Sequence, residues 1–68
     1  MFPKATIKKL MESAGVKKST EKAKTELGDI LWEITKMISE RAIVLAKHAK
    51  RKTVKKEDIM LAKREIWG

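Results

Sequence analysis

Sixty-eight residues form one small domain at most, 1–68, and the length excludes a multi-domain enzyme. A chain this short buries only about 60% of its unfolded surface, so a lone monomer is marginal. There is no cysteine for a disulfide framework or a thiolate metal site. No apolar run approaches the length of a membrane span or a signal peptide, so the chain is expected to stay in the cytoplasm. The 43% hydrophobic content is too high for a disordered tail.

The net charge of +8 is unevenly placed. Residues 1–19 carry five lysines against Glu12, and residues 50–68 carry seven bases against Glu57, Asp58 and Glu65. Each flank therefore has a net charge of +4, whereas residues 20–49 balance five bases against five acids. A polyanion binder uses such flanks to neutralise phosphates and release counterions. A lysine-rich solvated surface explains the total charge but not its asymmetry.

In chain order, Pro3 suits the first position of a helix, where its missing N–H costs nothing. Ile7, Leu10, Met11 and Ala14 recur at i, i+3, i+4 and i+7, which predicts a helix over about residues 4–14. Gly15 then reads as the left-handed residue of a C-cap. Lys17-Lys18-Ser19 is a polar connection, and Thr20 can cap the next helix, with Glu21 favouring its positive end.

From Ala23 through Leu27, Ile30, Leu31, Ile34, Ile38, Ala42 and Leu45 to Ala49, an apolar stripe runs unbroken. It predicts one helix of roughly 28 residues, about 42 Å long. Ile43 and Val44 widen the apolar arc beyond the need of one packing partner. Lys50-Arg51-Lys52 closes the helix with cations at its negative end. Thr53-Val54 favours an extended link, after which Glu57 and Asp58 open a last helix carrying Ile59, Ala62 and Ile66. The class is all-α. A globule of this size has a radius of gyration near about 11 Å, so two short helices cannot cover one of 42 Å. The long helix therefore calls for a second copy.

The segment Ala46-Lys47-His48-Ala49-Lys50-Arg51-Lys52-Thr53-Val54-Lys55-Lys56-Glu57-Asp58-Ile59, together with Glu12-Ser13-Ala14-Gly15, resembles the histone fold, specifically the tail-less archaeal histones. The resemblance extends from Pro3 to Ile66 and implies an intertwined handshake dimer with the first loop of one chain beside the second loop of its partner. It implies sequence-independent binding, wrapping and compaction of double-stranded DNA, with assembly into tetramers or longer stacks. The partners it implies are DNA and a second copy or a paralogous histone, on the chromosome.

Carried over residue by residue, the resemblance places Lys9, Lys17, Lys18, Lys52, Thr53 and Lys55 at the DNA. Lys9 and Lys18 stand where the family usually has arginine, so phosphate neutralisation is expected to survive better than minor-groove reading. It pairs Arg51 with Asp58 as an intramolecular bridge. Leu45, His48, Asp58 and Leu61 fall at its dimer–dimer contact, and Gly15 at a close approach between stacked dimers. Lys50 stands where the family often has glycine, and Ser19 where it has an apolar residue. Trp32 lies about 140° from the core stripe and Met60 is similarly placed, so either each tucks under a neighbouring side chain or the two together enlarge an assembly surface.

Rival readings are weaker. A histone-fold subunit of a transcription-factor-like heteromeric complex would ordinarily carry extensions. A membrane-surface helix would hold its positive charge opposite an apolar face, and the long helix is charge-neutral. A lone His48 makes no metal site, and no nucleophile–base pair or phosphate loop is evident. No enzyme activity, cofactor, metal or small-molecule substrate is expected.

Overall fold

A computed structural model describes residues 2–68. It contains α1 (Lys4–Ser13), α2 (Glu21–His48) and α3 (Lys56–Trp67), with no strand among the described residues. The all-α class and the short–long–short order agree with the hydrophobic spacing. The ends differ slightly from expectation. Ala14 is the C-cap of α1, α3 opens one residue before Glu57, and Pro3 is an N-cap with ψ 143°. In that extended setting the Pro3 carbonyl accepts from the N–H groups of Thr6 (3.1 Å) and Ile7 (3.2 Å).

Two compact units divide the chain, the first ending at Glu33 and the second running Ile34–Gly68, with α2 contributing to both. In the first unit Ile7 is the large side chain taken fully out of water, at 1% exposure. It packs beside Gly28, whose missing Cβ would lie 3.7 Å from Ile7 Cγ1. The start of α2 is capped by Thr20, whose Oγ1 accepts from the Ala23 N–H at 3.0 Å. Glu21 is bridged by Lys4 at 3.2 Å and Lys24 at 3.3 Å. Phe2 meets Trp32 edge to face, with ring centroids 6.3 Å apart.

In the second unit the buried apolar positions are all alanine: Ala42 and Ala46 on α2, Ala62 on α3. Side chains this small let two helix backbones approach closely. Arg41 and Glu65 then tie the helices in a bidentate pair, with Nη2 donating to Oε1 at 3.1 Å.

The apolar stripe of α2 is only partly covered within the chain. Leu27, Leu31, Ile34, Ile38 and Leu45 are half-buried, whereas Ala23, Ile30 and Ala49 are exposed. Met37, Ile43 and Val44 are exposed as well.

Candidate nucleic-acid interface

The first loop is set by how α1 ends. Gly15 has φ +99°, the Gly15 N–H donates to the Glu12 carbonyl, and the Val16 N–H donates to the Met11 carbonyl, both at 3.0 Å. This paired closure is a Schellman motif, and it requires a residue tolerant of positive φ. The chain then passes Lys17 and Lys18, both exposed, before Thr20 starts α2. Lys9 is exposed on α1. A hollow of about 320 Å³ opens here, lined by Lys8, Lys17, Lys18 and Lys24 among others. Lys8 and Lys24 were not singled out by sequence reasoning. For Lys8 the available signal was its place in the positive N-terminal flank; for the half-buried Lys24, in the charge-balanced stretch, there was none.

The second loop opens with the same backbone motif. Lys50 has φ +59°, its N–H donates to the Lys47 carbonyl, and the Arg51 N–H donates to the Ala46 carbonyl, both at 2.9 Å. Arg51 then turns back on the loop. Its Nη1 donates to the Thr53 carbonyl and to Asp58 Oδ2, and its Nη2 to Asp58 Oδ1, all at 2.9 Å.

Asp58 is 5% exposed and also accepts the Lys55 N–H at 2.8 Å. That last bond is the carboxylate half of a capping box. Lysine has no side-chain acceptor to return it, and the Asp58 N–H goes to the Lys55 carbonyl instead, at 3.0 Å. The Arg51 guanidinium, helped by the Lys55 N–H, holds the Asp58 carboxyl down at about 2, against the opposing effect of burial. One arginine and one aspartate thus fix the path of residues 51–58. Lys52, Thr53 and Lys55 are exposed along it.

Ion pairing in the chain uses Lys4, Lys24, Arg41 and Arg51. Lys9, Lys17, Lys18, Lys52 and Lys55 enter no ion pair among the described residues. Each loop therefore presents cations that no carboxylate pairs among the described residues, on backbone held by caps and hydrogen bonds. Such a surface suits phosphate oxygens.

Of the remaining residues, His48 and Leu61 are exposed and Leu45 is half-buried. His48 makes no hydrogen bond to Asp58, whose bonds run to Arg51 and Lys55. No cluster of metal-ligating side chains occurs among the described residues, and no helix is long and apolar enough to cross a membrane.

Residues 1–62 match the family described as histone-like transcription factor (CBF/NF-Y) and archaeal histone. The chain belongs to this family. Its three helices have the histone fold. Within the family, the chain is 40% identical over 63 residues to "Probable archaeal histone 3" of Methanocaldococcus jannaschii, covering 93% of this chain and 94% of that relative. It is also 40% identical over 61 residues to one of the subunits of the archaeal histone HAN1 of Thermococcus zilligii, covering 90% and 91% respectively. A histone-fold chain of this kind is a structural protein of chromatin, not an enzyme.

Proposed function

We propose that this chain is a histone that binds double-stranded DNA without sequence preference and wraps it as a handshake dimer. The observation that carries the reading is the set of exposed cations on α1 and both loops that enter no ion pair among the described residues, in a protein of the histone family. Lys9, Lys17, Lys18, Lys52 and Lys55 neutralise phosphates, and Thr53 donates its hydroxyl to a phosphate oxygen. Specificity comes from how readily the DNA bends, because nothing in the arrangement reads base edges. Dimers join into tetramers or longer stacks through Leu45, His48, Asp58 and Leu61, with Gly15 at the closest approach between layers. The complex resides on the chromosome.

Salt titration tests the phosphate reading. The logarithm of affinity should fall linearly with log salt, by about 0.9 for each phosphate neutralised. Lys18→Ala and Lys52→Ala should each flatten that slope by about 1 and weaken all duplexes alike. A loss confined to one DNA sequence would mean base readout and would overturn the proposal.

A further inference from the structure

The hollow of about 320 Å³ beside the first loop is walled by three successive segments of the first compact unit. Helix α1 contributes Lys8, Met11 and Glu12, which share a face at i, i+3 and i+4. The loop contributes Lys17 and Lys18, and α2 contributes Lys24 from its first turn. Four lysines thus line one space against a single acid, the exposed Glu12. Lys8, Lys17 and Lys18 enter no ion pair among the described residues. Lys24 is tied to Glu21 at 3.3 Å, but Lys4 shares that carboxylate, and an ammonium has three donors to give. Like charges gathered around one hollow repel one another, and an anion seated among them turns that repulsion into attraction.

Depth decides what kind of anion this is. The Lys24 side chain is 15% exposed, whereas Lys8, Lys17 and Lys18 are exposed. A duplex is a convex rod. It meets lysines on a rim but does not follow a hollow inward to a retracted one. A compact chain of phosphoryl groups enters such a space and meets lysines on all three walls at once, which is how a small-ligand site differs from a flat basic surface. Lys8 and Lys24 have no part in the proposed duplex surface; Lys17 and Lys18 are common to both. We propose that this hollow binds a short polyphosphate, two or three phosphoryl groups in a row, free or carried by a nucleotide. Its occupant competes with a duplex for Lys17 and Lys18 and so loosens the first loop from DNA. That consequence, unlike the site itself, rests on the proposed function.

Tripolyphosphate is the probe, titrated into the full chain with isotope-labelled methionine methyl groups. Met11 lines the hollow, whereas Met37 and Met60 lie outside it and report unspecific binding. The expected result is a saturable shift of the Met11 methyl resonance, with those of Met37 and Met60 unmoved. Lys8→Gln and Lys24→Gln should each weaken binding about tenfold, with circular dichroism unchanged. Lys63→Gln removes the same charge from α3 and should change it about twofold at most. Adenosine triphosphate separates the two sources: equal affinity makes the phosphates the whole determinant, tighter binding adds the nucleoside, and either supports the site. Three results would overturn it. A Met11 resonance that stays still in excess tripolyphosphate would mean that the hollow is closed, as by a loop of a second copy. Equal weakening in Lys63→Gln would reduce the response to general charge. Orthophosphate binding as tightly as tripolyphosphate would leave a single-phosphate contact of the kind a duplex supplies. Duplex affinity is measured separately, and its absence would remove the proposed function while leaving the polyphosphate site standing.

Discussion

Gly15 and Lys50 occupy the same place in the same backbone motif, one after α1 and the other after α2, each with positive φ. For glycine that conformation is free of Cβ conflict, whereas for an L-residue it costs on the order of 1–2 kcal/mol. The Gly15 closure was legible because glycine at a helix end has few other uses. The left-handed Lys50 was not legible from its own chemistry, since lysine has no preference for that region. Only the glycine usual in related chains hinted at it. Lys50→Gly should therefore raise unfolding stability by about 0.5–1 kcal/mol, read from the denaturation midpoint at unchanged slope. At the same loop, Asp58 has its carboxyl lowered from 3.8 to about 2 in the folded chain. The unfolded chain thus takes up that proton more readily than the folded one. The stabilisation is fully present above about pH 4 and drains away as pH falls toward 2. Acid titration of stability should show this loss in the native chain, and Asp58→Asn should flatten it. An unchanged acid limb in Asp58→Asn would mean that another carboxylate governs acid unfolding.

At the scale of elements, periodicity located the helices, but it could not tell which apolar positions would be covered. The α2 stripe is helical as its spacing predicts, yet Ile30 within it is exposed, whereas Ala42 and Ala46 are buried beneath the crossing of α3. Burial follows from where α1 and α3 each cross α2, and that is a tertiary fact. Gly28 shows the same limit. Sequence gives only its cost in a helix interior, about 1 kcal/mol relative to alanine. The structure adds that a Cβ there would sit 3.7 Å and 3.9 Å from the Ile7 side chain, ordinary contact distances with no clash. Gly28→Ala should consequently stabilise the chain by about 0.5–1 kcal/mol without disturbing the α1 packing. Thermal unfolding followed by circular dichroism checks this, and a lowered midpoint would mean that the helices approach too closely there for a methyl group.

The whole molecule is where a single chain stops explaining itself. Ile30, Met37, Ile43 and Val44 are exposed along α2, more large apolar surface than a helix inside a finished protein leaves to water. The proposed handshake covers it with a second α2, so dimer formation should depend on this crossing and not on Leu45, His48 and Leu61. The proposed dimer–dimer contact is the separable part. Asp58 spends three acceptor positions inside its own chain, on Arg51 and the Lys55 N–H. A carboxylate offers about four, which leaves one for a histidine N–H from another dimer. Most of that contact therefore rests on Leu45, Leu61 and the exposed His48. Placing a charge at Leu45 should break it while sparing the fold. Leu45→Glu is expected to keep the helicity and the dimer mass in sedimentation, but to shorten nuclease-protected DNA to the length covered by one dimer. His48→Ala should shorten it less, because it removes direction without adding charge. Asp58→Ala is unsuitable for this purpose, since it also releases Arg51 and frees the second loop. Protected lengths that extend alike in Leu45→Glu and the native chain would move the assembly surface elsewhere, with the exposed Trp32 and Met60 the next residues to replace.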